Sequence, residues 1–458
     1  MSDIISAEQL EIISITMDSE RFSEPLILSN ASDSGIVIEM NIYENIAFGF
    51  LTGDIILQDD QDIFRLADLN GTERIILNFV VPDQTTKNII KTFVVEEVSE
   101  SVKSNDYSSI LSLSLVEDIK YYNDLNKFSK AYTGTGEQII ESIVRDKLGR
   151  NLIVESEVNS AQKAFRYIVP YQDPLTAIKT ILSKMSTDNS YPFFFYSSII
   201  DDNFYLTDLE TIIKTESFNA HKPFVYDQDN VTKNDIESQA TNITHLEAGL
   251  LENTLDLALK GGMGSKYESI NGTTGINFQY HQDMNRHFSQ SIEAELLPKD
   301  QNFIAFDNEF ISDPKKIDES KITDFNSKIH TKVITNPYDD ANGFDQEAYE
   351  GQETLRILKK GVIAHLLKNK YNINVPGLLF SISNIKTCVG HQITMEVYRN
   401  DMTHSIDGRI DEKRSGRFII LSKRHCLDVA SGRHNVSLDI CKLSSRSILS
   451  GRRGGGGK

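Results

Sequence analysis

The feature that most constrains this chain is a series of short apolar stretches that alternate and are cut by turns. Ile36-Val37-Ile38-Glu39-Met40-Asn41-Ile42 alternates, and Phe50-Leu51-Thr52-Gly53-Asp54-Ile55-Ile56-Leu57 follows. Arg74–Val81 comes after an Asn70-Gly71 turn. Phe93-Val94-Val95 and Ser109–Val116 flank the polar stretch Lys103-Ser104-Asn105-Asp106. A period of two puts alternate residues on opposite faces of a strand. Strands this closely spaced fold into a small antiparallel barrel or sandwich, so residues 1–120 read as one β-domain.

The period then changes. Thr133-Gly134-Thr135-Gly136 leads into a helix over Glu137–Leu148, with Ile139, Ile140, Ile143, Val144 and Leu148 on one face and Gly149 as its C-cap. Asp173-Pro174 pairs a cap residue with proline at the first helical position. Leu175, Ile178, Leu182 and Met185 recur behind it at helical spacing. Phe193–Tyr196 and Phe204-Tyr205-Leu206 read as a hairpin around Asp201-Asp202-Asn203. Residues 121–228 are therefore an expected α+β insertion. Strand patterns return over 229–260. Residues 261–340 are rich in Gly, Asn and Asp and poorly periodic, with turns at Asn271-Gly272 and Asn336-Pro337. A helix is expected around 344–368, carrying Leu355, Leu358, Val362 and Leu366, so that 261–368 forms a second insertion. Strands follow at Tyr371–Val375, Leu378–Ser381, Ile393–Tyr398, Phe418–Leu421 and Val436–Cys441. Residues 446–458 are a basic, Gly-rich tail without core-forming residues.

The two β-rich parts carry a faint duplication. Asn41-Ile42 leads to Phe48–Leu57, and Asn242-Ile243 leads to Ala248–Leu257. Thr92-Phe93-Val94-Val95 resembles Arg417-Phe418-Ile419-Ile420, and each is followed by an alternating strand, Ser109–Leu115 and Asn435–Ile440. The expected fold class is α+β, predominantly β. It has two antiparallel tube-type β-barrel domains related by pseudo-symmetry, the second discontinuous over 229–260 and 369–445, with α+β insertions. Three chains built this way would set six similar domains in a ring and match a six-fold partner.

Composition narrows the function. Over 353–458, 19 Lys and Arg stand against 8 Asp and Glu; the remainder holds 28 against 58. That polarity suits an assembly with different partners at its two ends. No apolar run reaches the ~18 residues of a membrane span, and the N-terminus lacks a secretory pattern. Cys388, Cys426 and Cys441 have no metal-ligand spacing and read as reduced, buried thiols. No Gly-x-Ser-x-Gly elbow, His-Glu-x-x-His helix or Walker-type loop occurs. Gly134-Thr135-Gly136 reads as a tight start to a helix rather than a phosphate site, and Gly261-Gly262-Met263-Gly264 as a hinge. His281 and His287 are the nearest approach to a ligand pair. Asp59-Asp60, Asp201-Asp202 and Asp339-Asp340 are adjacent acids of the kind usually solvated. No catalytic, cofactor-binding or metal residue is assigned, and no cofactor is expected.

The order of these parts resembles the central baseplate hub protein of contractile-tailed, T-even-like bacteriophages, related to the spike base of contractile injection systems. The residues that carry the resemblance are Phe50–Leu57 after Glu44-Asn45-Ile46, the Thr133–Gly136 loop opening a helix, and the Asp173-Pro174 helix before Phe193–Tyr196. The Tyr371-Asn372-Ile373-Asn374-Val375-Pro376-Gly377 run and the strands to Cys441 complete it. The 261–340 insertion departs from the pattern. The resemblance implies a non-enzymatic homotrimer that joins a six-fold tail tube to a three-fold spike and forms a channel for genome passage. It also implies contacts with the trimeric spike protein, tail tube, tape-measure and baseplate wedge proteins, and passage of DNA without specific binding. It places the protein in the virion, assembled in the host cytoplasm without stable membrane insertion. The competing reading is a tail-associated cell-wall-degrading enzyme, glycosidase or peptidase, with 261–340 as the place to look. A third is a module that binds host surface glycans, against which the lack of Trp weighs.

Overall fold

The computed structural model describes residues 6–8, 11–30, 35–60, 69–80, 89–103, 109–156, 165–187, 191–226, 235–251, 264–271, 277–283, 328–334, 359, 362–363, 366–367, 369–380, 384–398, 410–411 and 414–442. The strands of the first half are β1 (Glu11–Asp18), β2 (Leu26–Asn30), β3 (Val37–Asn45), β4 (Thr52–Asp59), β5 (Arg74–Val80), β6 (Ile89–Lys103) and β7 (Ser109–Glu117). The insertion follows with α1 (Asp118–Leu125), β8 (Phe128–Gly134), α2 (Gly136–Ile143), β9 (Leu152–Val154), β10 (Phe165–Gln172), α3 (Pro174–Lys184), β11 (Phe193–Ser197), β12 (Phe204–Asp208) and α4 (Leu209–Lys214). Then come β13 (Phe224–Tyr226), α5 (Ile236–Ala240) and β14 (His245–Leu251). β15 (Gly264–Asn271), β16 (Asn277–Asp283) and β17 (Lys328–Ile334) form a separate sheet. β18 (Asn369–Pro376), β19 (Gln392–Val397), β20 (Gly416–Asp428) and β21 (Arg433–Cys441) close the chain. The fold is α+β and mostly antiparallel β, as the alternation predicts.

One thirteen-stranded sheet runs through both halves, in the order β14-β18-β21-β20-β3-β4-β7-β6-β5-β1-β2, with β19 on β20 and β13 on β19. Within it a five-strand unit occurs twice. In the first half β5 pairs β6, β6 pairs β7, β7 pairs β4 and β4 pairs β3, all antiparallel. In the second half β19 pairs β20, β20 pairs β21, β21 pairs β18 and β18 pairs β14, all antiparallel and in the same chain order. Even an irregularity recurs. The β6·β7 register shifts between Val95 and Glu97, and the β20·β21 register shifts between Ile420 and Ser422. Bulges are positional features of a sheet, so Phe93 and Phe418, Val95 and Ile420, and Glu97 and Ser422 occupy equivalent places. The repeat differs in detail from its outline in the sequence. The counterpart of β4 is β18, beyond the second insertion; of the Leu250–Leu257 stretch, Leu250 and Leu251 belong to β14 and the rest lies outside the described residues. The outermost strands also differ, since β1 joins β5 antiparallel while β13 joins β19 in parallel.

Each half encloses its own core. In the first half Ile15, Met17, Met40, Ile42, Ile55, Ile75, Leu77, Phe93, Leu111 and Leu113 are buried in one cluster. Apart from Ile199, Leu427 and Val429, the buried members of that cluster come from the first half's strands and from Leu51 before β4, with no helix among them. A flat sheet would need a second layer to bury one whole face, so these strands wrap around their own side chains. At roughly 1.5–3 kcal/mol per fully buried large apolar side chain, this face is the main driving force of the half. The second half's core gathers around Ile373, Val375, Ile393, Phe418, Ile420, Val436, Leu438 and Ile440, and it also takes in Leu209, Ile212 and Ile213 of α4 and the helical Val362 and Leu366.

In the insertion, α2 starts with a reciprocal capping box. The Thr135 hydroxyl accepts from the Gln138 N–H, and the Gln138 side chain accepts from the Thr135 N–H. Asp173 caps α3 through the Thr176 N–H, with Pro174 at the first helical position. Gly149 has φ +65°, the left-handed conformation that ends a helix. The expected hairpin forms as β11·β12. Leu378–Ser381, expected as a strand, is a short 3₁₀ turn over Gly377–Phe380. Two strands at the start of the chain, β1 and β2, and the β8·β10 pair were not legible as such. Of the helix expected at 344–368, Lys359, Val362, Ile363 and Leu366 are described and are helical, with Val362 and Leu366 buried. Three strands, β15 to β17, occupy part of the 261–340 segment. Asn336-Pro337 and the 446–458 tail lie outside the described residues.

Lys359 ties the second insertion to the first. Its Nζ donates to the carbonyls of Leu182, Ser183 and Met185 at 3.0, 2.8 and 2.8 Å, closing the C-terminal end of α3. A cation there also complements the helix dipole. Lys359→Met leaves these carbonyls, of which that of Met185 is buried, without this donor and is expected to cost about 1–3 kcal/mol. Amide hydrogen exchange read over 177–187 should rise in that variant; unchanged protection there would count against this role.

Candidate functional site

The two halves join edge to edge. β20 pairs β3 antiparallel from Ser422 opposite Asn45 to Asp428 opposite Glu39. Lys423, His425 and Leu427 share the inward parity of β20, and Met40, Ile42 and Glu44 that of β3. Charged residues are therefore driven into the joint by strand alternation. Lys423 Nζ lies 3.2 Å from Glu44 Oε2, with both side chains fully buried. The carboxylate oxygen is off the hydrogen-bonding direction, so this is a charge contact. Glu44 Oε1 accepts from the Ile199 N–H at 3.0 Å, and Lys423 Nζ donates to the Thr387 carbonyl at 3.2 Å. Buried charges persist only when paired and hydrogen-bonded in this way.

Beside the pair, His425 Nδ1 and His434 Nε2 are 2.9 Å apart and the rings stack at 5.2 Å between centroids. His425 Nε2 faces Glu44 Oε1 at 3.9 Å. Burial, reinforced by the Lys423 charge, pushes His425 well below the ordinary imidazole range and His434 down to about 3. Both are neutral, one donating to the other. The Gly377 position is fixed by this pair, because a Cβ there would sit 2.2 Å from His434 Nδ1.

The opposite face of the same strands is polar, and its groups bind one another. Asp439 accepts from Asn372 at 3.0 Å and from Ser422 at 2.8 Å, and pairs with Lys370 at 2.9 Å. Asp54 accepts from Asn41 at 2.8 Å and from Tyr43 at 2.7 Å. Burial, with this hydrogen bond, pushes the Tyr43 phenol up to about 12. Arg424 donates to Asn41 at 2.9 Å and contacts Glu39 at 3.3 Å. The chain of contacts crosses five strands and passes over the joint. A groove of about 440 Å³ opens on it, lined among others by Tyr43, Asn45, Phe48, Phe50, Arg424 and Asp439.

The first insertion is clamped to the first half by a second ionic cluster, buried at Glu117 and Lys91 and open to solvent at Asp202. Glu117 pairs with Arg150 at 2.6 Å and accepts from the Leu51 N–H at 2.9 Å, while Lys91 pairs with Asp202 at 2.9 Å. Arg150 also contacts Asp118, whose carboxyl is raised by burial. Toward the second half, Tyr196 donates to Glu155, a carboxyl raised by burial, and His391 stands 3.7 Å from it with its pKa lowered to about 4 by burial.

The residues singled out in the sequence have structural roles where they are described. Thr135 caps a helix; Asp202 pairs with Lys91; Asp201 accepts from Tyr205 at 2.7 Å. Asp59 is buried and Asp60 accepts from Gln58. His281 lies on β16 opposite Lys266. His287, Asp339, Asp340 and Gly261–Met263 lie outside the described residues. All three cysteines are free. Cys388 and Cys441 are buried, and burial pushes the Cys388 thiol up to about 12; Cys426 is only partly buried, a correction to its expected place in a core. Among the described residues no group of three His, Cys, Asp or Glu side chains could hold a metal ion. No described helix is long and apolar enough to cross a membrane. The Glu44–Lys423 pair and the two histidines were not singled out in the sequence, although Lys423 and His425 interrupt an apolar parity.

No protein-family model and no curated protein matches the sequence. Similar chains occur among solved structures. A tail protein from Neisseria meningitidis aligns over 94% of this chain and 96% of its own length, at 10% identity and a TM-score of 0.49. The prophage MuSo2 43 kDa tail protein from Shewanella oneidensis aligns over 94% and 98%, at 11% identity and 0.49. A component of the Escherichia coli type VI secretion system, described as structurally similar to T4 bacteriophage tail proteins, aligns over 94% of this chain and 77% of its own, at 9% identity and 0.43.

Proposed function

We propose that the chain is a structural hub of a phage-type contractile tail, three copies of which form a ring around a channel. The observation that carries this reading is the five-strand unit made twice and fused through β3·β20 into one sheet. Two equivalent halves per chain let three chains offer six equivalent surfaces, so a three-fold spike and a six-fold tube can meet on one body. The apolar face of each half is spent on its own core, which leaves the polar face to line the channel. That face suits passage of a polyanion. Its Arg424 and Lys370 are engaged with Glu39, Asn41 and Asp439, so among the described residues these two cations are already held away from phosphates. In this reading the partners are tube and tape-measure proteins on one side and spike and wedge proteins on the other. The role is non-enzymatic, and the place is the tail of a virion.

The test is native mass measurement and electron microscopy of the full chain, alone and with the neighbouring spike protein. The expected result is a three-copy ring with six similar wall segments. A chain that stays monomeric in both conditions at tens of micromolar overturns it.

A further inference from the structure

The joint made once inside the chain leaves a matching joint unmade at its two ends. β19 covers β20 only as far as Ile419, opposite Gln392, and from Ser422 to Asp428 β3 pairs in its place. β5 covers β6 only as far as Val94, opposite Arg74, and Val94 is the equivalent of Ile419. Beyond that point Glu97–Lys103 pair with β7 on one side, and among the described residues no strand takes the other. β14 is the counterpart of β3. It pairs β18 on one side, and among the described residues its other edge is also untaken; His245, Glu247 and Ala248 are exposed. The first half thus ends in a β20-type edge, and the second half in a β3-type edge.

Open edges of this kind template strand addition, and proteins usually blunt them with Lys or Pro. β14, His245-Leu246-Glu247-Ala248-Gly249-Leu250-Leu251, contains neither. We infer that β14 of one copy adds antiparallel to the Glu97–Lys103 stretch of β6 in a second copy. This rests on the ring reading above and adds which edges meet. The contact joins two different patches head to tail, the type of interface that generates a closed ring when its rotation closes.

The register carries over from the internal joint. Arg424 is opposite Ser437 and Glu100 is opposite Ser112, which are equivalent positions on β21 and β7. His425 and Cys426 therefore correspond to Ser101 and Val102. On the other strand, Leu246 and Ile373 face each other as Met40 and Ile55 do, so Glu247 and Ala248 correspond to Asn41 and Ile42. Since His425 is opposite Ile42 and Cys426 opposite Asn41, Ser101 of one copy falls opposite Ala248 of the next, and Val102 opposite Glu247.

The test is oxidation of the full-length Ser101→Cys/Ala248→Cys variant, followed by non-reducing electrophoresis, with wild type oxidised in parallel. More than half of the chain is expected in disulfide-linked dimers and trimers that revert on reduction. An equal mixture of the two single variants should stop at dimers. Val102→Cys/Glu247→Cys serves as a second pair if the first does not fold by circular dichroism. A cross-link within one chain, or none while native mass gives a trimer, overturns the edge assignment and leaves the ring reading standing. A monomer with no cross-link, with and without spike protein, sinks both.

Discussion

Between pH 7 and pH 4.5 the protein is expected to lose roughly 5 kcal/mol of unfolding free energy through two histidines alone. His425 and His434 are buried, stacked and neutral, with folded pKa values far below the ordinary imidazole range. In the unfolded chain each takes up a proton below about pH 6.5. The unfolded state then binds more protons than the folded one, so stability falls as pH falls. The fall begins near the unfolded value and continues toward the folded one. At two units below 6.5 each such group contributes roughly 2–3 kcal/mol of loss. His391, lowered to about 4, works in the same direction. The groups facing the pair are Lys423 on the same strand, which opposes a second positive charge, and Glu44 on β3, at 3.9 Å from His425. Guanidinium unfolding followed by tyrosine fluorescence at pH 7.0, 5.5 and 4.5 gives the slope, and His425→Gln/His434→Gln should flatten it. Should that variant not fold, histidine hydrogen exchange on wild type reads the two pKa values directly. Values near 6.5 for both would refute the account.

How far this joint could be read from the residues depends on where the signal is local. Strand alternation is local, and it located β3, β5, β7, β18, β19 and β21 well. Capping chemistry is local too, so Thr135 and Asp173-Pro174 marked two helix starts correctly. The closing hairpin of the repeat was legible because Phe93 and Phe418 each lie in a strand that bulges two residues later and turns into an alternating partner. The opening strands were not. β3 and β4 are neighbours in sequence, whereas β14 and β18 are parted by the second insertion, so the sequence counterpart of Phe48–Leu57 fell on Ala248–Leu257, which begins inside β14. The joint itself is a pairing of residues 39–45 with 422–428, and no spacing rule links two strands that far apart. Lys423 and Glu44 each look like a surface charge alone, and only pairing places them together inside.

That pair is where single substitutions should bite hardest. Glu44→Gln keeps an acceptor for the Ile199 N–H but strips Lys423 of its counter-charge. Lys423→Met fills similar volume and leaves the Glu44 carboxylate buried without its cation. Each is expected to cost about 3–5 kcal/mol, because the burden of a desolvated ion falls on the folded state once its partner is gone. The double variant Glu44→Gln/Lys423→Met carries no buried charge and still serves Ile199, so it should recover most of that loss and give a coupling energy above about 2 kcal/mol. The pair would then be worth little net stability, since a matched apolar contact does nearly as well. Its worth lies in register: slipping β20 by one residue against β3 would turn Lys423 and His425 to the polar face and Arg424 into the core. Hydrogen exchange over β3 and β20 separates the two effects, with the single variants opening at the joint first and the double variant holding it closed. Two single losses that simply add in the double variant would mean that Glu44 and Lys423 do not act together, and that the joint is held by its backbone ladder and apolar contacts alone.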